Sequence, residues 1–210
     1  MKINNHRKLC IILAITFFWS LIFVFLYHTD NKYTAALPAV QGKNKLDAES
    51  VSMPHFLVDG WEYYPGKLLQ PEDYILTQAF PEIIYLGQYS NFTPALGTPY
   101  GVATYRLILE TPSDNLTLGL YLPEVPSACK VYINGNPVET VGSVSPYMPL
   151  IKETLLSFES REQCEIIVQT ANYNHYYSGL YYPPAVGSLS CLSKMIILRT
   201  IIYGFLCFSS

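Results

Sequence analysis

Between Ala171 and Pro184 the chain packs five tyrosines, two asparagines and one histidine into fourteen residues: Ala-Asn-Tyr-Asn-His-Tyr-Tyr-Ser-Gly-Leu-Tyr-Tyr-Pro-Pro. A tyrosine offers a flat apolar face with a polar tip, and asparagine and imidazole supply directional donors and acceptors. That mixture suits a ligand with an apolar ring face and a rim of hydroxyls, which is the chemistry of a sugar. The candidate contacts are Asn172, His175, Tyr176, Tyr177 and Tyr181, with Arg106 adding a fork of donors from a neighbouring strand. The same residues suit a packing role equally well: aromatics capping a core, Arg106 in a salt bridge, His175 as a loop histidine. Covalent or metal chemistry has no comparable signature. No glycine-rich phosphate loop, G-x-S-x-G elbow or H-E-x-x-H motif occurs, and no C-x-x-C or histidine cluster marks a zinc site. Carboxylates such as Glu62, Glu72, Asp73 and Glu82 are present, but a glycosidase needs two of them held about 5–10 Å apart across a cleft. The expectation is a non-enzymatic chain with no metal and no cofactor.

The elements that would position these side chains read as mainly β. Leu116, Leu118, Leu120 and Leu122 alternate with Thr117, Gly119 and Tyr121, the period of a half-buried strand. Tyr105, Leu107 and Leu109 alternate with Thr104, Arg106 and Ile108; Cys164, Ile166, Val168 and Thr170 alternate with Glu165, Ile167 and Gln169. Asn134-Gly135 between apolar flanks predicts a hairpin, since both residues tolerate positive φ. Pro137 right after it predicts a late-starting or edge strand. Prolines break the rest into short pieces, leaving only Pro71 to Gln78 as room for a helical turn or two. Trp61-Glu-Tyr-Tyr-Pro65 reads as the first strand of a sandwich, with Trp61 in its core.

Both ends are apolar. Leu9 to Tyr27 holds nineteen residues without a charge, about 28 Å as a helix against a bilayer core of about 30 Å. Lys2, Arg7 and Lys8 precede it, which favours a cytoplasmic N-terminus. A retained anchor and a cleaved signal peptide both export the residues C-terminal to it. From Met195 the chain reads MIILRTIIYGFLCFSS, expected as a membrane helix that starts near Thr200 and is cut short, or else as a tail lying on the domain or the lipid surface. The expected organisation is a cytoplasmic tail at 1–8, an anchor at 9–27, a linker at 28–52, an extracellular domain at 53–190 and a juxtamembrane segment with a partial helix at 191–210. Residues 31–190 carry eight Lys/Arg and fifteen Asp/Glu, a net −7, while the whole chain is at −3. This balance excludes a nucleic-acid partner recruited by a basic face. A Cys129–Cys164 disulfide is open in an oxidising compartment.

The succession Tyr100-Gly-Val-Ala-Thr-Tyr-Arg-Leu107, Val131-Tyr-Ile-Asn-Gly135 and Ile166-Ile-Val-Gln-Thr-Ala-Asn172 resembles a galactose-binding-type jelly roll, as in the sugar-binding domains of β-galactosidases and β-glucuronidases. Asn172-Tyr-Asn-His175, Gly179-Leu180 and Gly187, running into an apolar helix, resemble the extracellular sensor domain of bacterial seven-transmembrane receptors with diverse intracellular signalling modules. That resemblance covers roughly residues 55–205. It implies a β-sandwich that binds an extracellular small molecule or carbohydrate, with a helix bundle and a cytoplasmic module such as a histidine kinase as downstream partners. The sugar-binding jelly roll of a surface glycosidase without its barrel, and a stand-alone membrane-tethered binding module, are the alternatives.

Overall fold

A computed structural model describes residues 5–30, 35–40, 42–75, 81–112 and 116–208. The chain divides into two compact units, Met1–Thr34 and Ala35–Ser210.

The first unit is helix α1 (Asn5–Asp30). Apolar residues cover every face, none of the residues from Asn5 to His28 is buried within the protein, and the most apolar eighteen-residue stretch has a mean hydropathy of 2.8. The Thr16 hydroxyl donates to the Ile12 carbonyl and that of Ser20 to the Thr16 carbonyl, both at 2.9 Å. Their polarity is absorbed by the helix itself, as an apolar environment requires. By length and composition α1 can cross a membrane, a property a signal sequence shares.

The second unit is built of short strands: β1 (Ala39–Val40), β2 (Lys43–Lys45), β3 (His55–Phe56), β4 (Trp61–Pro65), β5 (Glu82–Ile84), β6 (Gly101–Glu110), β7 (Thr117–Leu122), β8 (Ala128–Ile133), β9 (Asn136–Val141), β10 (Ser143–Val144), β11 (Tyr147–Met148), β12 (Thr154–Glu159), β13 (Gln163–Asn172) and β14 (Ala185–Gly187). A one-turn helix α2 (Thr93–Leu96) precedes β6, and helix α3 (Leu189–Phe208) follows β14. Among the described residues one sheet runs β1-β2-β6-β13-β8-β9, with β4 on the same side of β6 as β2 and β5 beyond β4. The second sheet runs β12-β7-β14-β3. Their facing sides meet in one core: Trp61, Tyr105, Leu107, Leu109, Val131, Ile166 and Val168 from the first sheet against Leu118, Leu120, Leu122, Leu156, Phe158 and Val186 from the second. Each fully buried leucine contributes about 1.5–3 kcal/mol, so the period-2 alternation fixes both the strands and their inward faces. The fold is mainly β and sandwich-like.

The Asn134-Gly135 hairpin forms, with φ of 52° and 81°, and β9 is an edge strand. Its register shifts between Val131 and Tyr132, where Pro137 pairs. Pro71–Ile75 is a 3-10 turn; the rest of the expected helical stretch, to Gln78, lies outside the described residues.

Several expectations are corrected. Trp61 is fully buried as expected, but β4 is preceded by β1, β2 and β3. Part of the segment read as a linker therefore belongs to the sheets. The Lys-Asn-Lys of β2 looks solvated, yet β2 runs parallel to β6, and Asn44 is buried with its amide donating to the Leu37 carbonyl at 2.9 Å. On the polar-looking face of β7, Gly119 and Tyr121 are buried too, while Thr117 stays exposed. A Cβ on Gly119 would stand 2.7 Å from Leu192 and 3.2 Å from Leu189, so the glycine lets α3 press directly onto the sheet. α3 begins at Leu189, not near Thr200, and its first turns bury Leu192 against Tyr121 and Ala185. The open disulfide is not formed; Cys129 and Cys164 are free thiols. Cys129 lies opposite Thr170, six residues along β13 from Cys164, about 20 Å away, far beyond the ~7 Å limit for a bridge.

Candidate functional site

Strand order brings several loops to one end of the sandwich. Ala128 pairs with Ala171, Leu122 with Thr154, and Ala185 with Tyr121. The β7–β8 crossing (123–127), the β13–β14 crossing (173–184) and the approach to β12 (149–153) therefore gather at that end. Between them lies a groove of about 280 Å³ lined by Glu124, Pro126, Ile151, His175, Tyr177, Tyr181 and Tyr182.

The floor of the groove is held by buried polar groups. Asn172 is 1% exposed. Its amide donates to the carbonyls of His175 at 2.7 Å and Pro99 at 3.1 Å, and its Oδ1 accepts from the backbone N–H of His175 at 3.0 Å and of Asn174 at 3.2 Å. Partners on both its donor and acceptor sides offset the lost hydration of this buried amide and fix the loop. Ser178 accepts from the Phe92 N–H at 2.9 Å. Gly179 has φ +77°, and a side chain there would collide with the Tyr105 hydroxyl and the Phe92 ring. Burial raises the pKa of the Tyr105 phenol well above the ordinary value, so it stays neutral. Leu180 enters the core.

What this scaffold presents outward is aromatic. Consecutive ring contacts join Tyr176 to Tyr177 at 5.4 Å, Tyr177 to Tyr181 at 5.1 Å and Tyr181 to Tyr182 at 4.8 Å. Tyr176 is 66% exposed and Tyr177 50%. Beside them Tyr173 meets Tyr147 edge-on at 5.0 Å, and Met148, Leu150 and Ile151 are also exposed. Glu124 is exposed at the groove.

The candidate residues thus separate. His175, Tyr177 and Tyr181 line the groove, Tyr176 extends its aromatic wall, and Asn172 lies beneath as a clamp. Arg106 stands apart. It is on the outer face of the first sheet, opposite Ile167, five residues along β13 from Asn172, about 16 Å. Its Nη1 donates to both oxygens of Glu62 at 2.8 and 2.9 Å and its Nε to Glu165 at 2.6 Å. Tyr74 lies against its guanidinium, 5.0 Å to the ring centre. The salt-bridge reading of Arg106 is the one the geometry supports. Sequence reasoning missed Glu124, Pro126, Ile151 and Tyr182 at the groove. Tyr182 belonged to the tyrosine cluster itself, whereas the others come from loops whose approach only the sheet pairing reveals. Among the described residues no cluster of histidine, cysteine or carboxylates has the arrangement of a metal site.

A hydrogen-bonded bridge links α3 to the 149–153 loop, whose Ile151 lines the groove. Tyr121, on the outer face of the second sheet, donates to Glu153 at 2.7 Å and accepts from Arg199 of α3 at 3.2 Å. Glu153 lies two residues beyond Ile151.

No family model matches the sequence, and no curated protein does either. Solved structures do resemble the fold. The β-glucuronidase of Bacteroides uniformis superposes with a TM-score of 0.50 at 16% identity, over 64% of this chain and 17% of that enzyme. A second structure of a B. uniformis β-glucuronidase, covalently bound to cyclophellitol-6-carboxylate aziridine, gives the same values. A putative β-galactosidase from Bacteroides fragilis aligns at 16% identity and a TM-score of 0.48, over 64% of this chain and 23% of that one. The chain spans less than a quarter of the length of these enzymes, and what it shares with the glucuronidases is the fold of one β-domain.

Proposed function

We propose that residues 35–188 form a galactose-binding-like jelly roll that binds a carbohydrate at the tyrosine groove without catalysing its cleavage. The observation that carries this reading is a ladder of four tyrosines at the surface, on a loop whose backbone is hydrogen-bonded from below. Exposed aromatic faces on a mobile loop would collapse onto the protein. Here Asn172, Ser178 and Gly179 hold the loop in place, so the rings are available before a ligand arrives, which lowers the ordering cost of binding. The shared fold with glycosidase domains adds that this sandwich occurs in carbohydrate enzymes.

We further propose that the module is the extracytoplasmic sensor of a membrane receptor, with the N-terminus cytoplasmic, α1 as its anchor and α3 as its exit toward a helix bundle. The Arg199–Tyr121–Glu153 bridge supports this, since it joins α3 to a loop that forms the groove. A ligand moves such an equilibrium only by its differential affinity for two arrangements. The fold likeness favours a second reading, a sugar-binding domain that accompanies a surface glycosidase.

Calorimetric titration of the full chain in detergent against a panel of neutral sugars tests the binding reading. Saturable binding that Tyr177→Ala weakens about tenfold is expected; no binding, or binding indifferent to Tyr177, defeats it. For the receptor reading, the encoding locus beyond the codon for Ser210 decides: several further apolar segments support it, and alternating β and α patterns support the glycosidase accessory.

A further inference from the structure

We propose that the groove selects its sugars by charge, taking cationic amino sugars ahead of neutral ones and rejecting uronic acids, with Glu124 as the discriminating group. The inference rests on the carbohydrate reading above and deepens it. Of the seven residues that line the groove, Glu124 carries the formal charge, and no lysine or arginine is among them. Glu124 is exposed, and among the described residues no ion pair engages it. Its carboxylate is an acceptor with no lysine or arginine beside it in the groove lining. Lys152 and Glu153 come directly after Ile151 but do not line the groove, and Glu153 accepts from Tyr121.

The wider field has the same sign. Residues 31–190 carry a net −7. Arg106, on the large sheet's outer face, is already taken up by Glu62 and Glu165. A ligand carboxylate would approach a negative domain and meet a carboxylate at the aromatic wall; a ligand ammonium would gain on both counts. The tyrosine rings and hydroxyls are indifferent to charge. They supply the common affinity, and Glu124 supplies the order.

The test compares sugars that differ at one carbon. Glucose, 6-amino-6-deoxyglucose and glucuronate, and the matching galactose series, are titrated into the full chain in detergent at about pH 7.5, where the amine is protonated and the acid ionised. Affinity is expected to fall in the order amino, neutral, acid, with each step about threefold to fivefold at low salt, the range of an exposed ion pair. The steps should shrink below about twofold near 0.5 M salt. In Glu124→Gln the amino and acid sugars should approach each other while the unfolding temperature stays unchanged. Binding of all three with equal affinity, a preference for the uronate, or an order that survives Glu124→Gln overturns the charge proposal and leaves the carbohydrate reading standing. No binding of any of the six sugars overturns both.

Discussion

The tyrosines around Gly179 fall into two sets, one buried and one displayed at the surface. Tyr63 and Tyr105 stack at 5.1 Å inside the core, and burial keeps both phenols neutral by raising their pKa values. Tyr176, Tyr177, Tyr181 and Tyr182 form a chain of similar ring contacts on the surface. Ring geometry therefore does not distinguish a buried structural cluster from the surface proposed for recognition. The difference lies in what the backbone beneath is doing. The inner rings are the packing that the loop rests on, and the outer rings are what the loop displays. Arg106 shows the same division among charges: its donors are spent on Glu62 and Glu165, whereas Glu124 at the groove is left to solvent.

Alkaline pH should break the inner set first, with the largest effect. Tyr63, Tyr64, Tyr74, Tyr105 and Tyr121 all have raised pKa values, chiefly from burial, and burial pushes the Cys129 thiol up to about 12 from 9.0. Each group is protonated when folded and ionises more readily when unfolded. The stabilisation is therefore complete below the unfolded value and is lost as pH rises through the folded one. Cys129 alone forfeits about 4 kcal/mol between roughly pH 9 and 12. Unfolding followed by circular dichroism against pH should show a cooperative loss above about pH 10, coincident with phenolate absorbance. Phenolate absorbance from the whole tyrosine complement before any unfolding would contradict the burial argument.

Gly179→Ala strikes the joint between the two sets. A left-handed φ and a collision with Tyr105 together should cost about 3 kcal/mol, near a 10 °C fall in melting temperature for a unit of this size, with sugar binding lost as well. A fall of under about 2 °C would mean that the loop is free to rearrange. Arg106→Met should cost about 2 kcal/mol, since Glu62 and Glu165 then face each other without a cation; the pair sites are partly exposed, which moderates the loss. Titration should show sugar affinity intact, and a parallel loss of affinity would return Arg106 to the site. Tyr177→Ala sharpens the contrast from the other side. Its melting temperature should move by less than about 2 °C, while affinity drops about tenfold, or about 1.4 kcal/mol.

Much of the sandwich was legible in the sequence. The leucine alternation of β7 predicted its inward face, Asn134-Gly135 its hairpin and Pro137 its edge, because these signals depend on backbone sterics and burial at neighbouring positions. The short elements were not legible. Lys43-Asn-Lys45 has no apolar period, and its strand exists only because β6 offers an unpaired edge. The second burial of β7 was hidden in Gly119, whose meaning depends on a helix about seventy residues later in the chain. At the site, the tyrosine cluster stood out by composition, but the sequence could not separate the clamp, Asn172, from the rings it supports.

By itself the sequence determined an apolar helix, a negatively charged β-domain and one tyrosine-rich crossing, since composition and period-2 patterning are local properties. Tertiary structure decided which tyrosines are buried, that Arg106 is neutralised about 16 Å along the sheet from Asn172, and that Glu124 and Ile151 join the groove. Those outcomes depend on strand register. Register follows from minimising exposed apolar surface over both sheets at once, and no single segment carries that information.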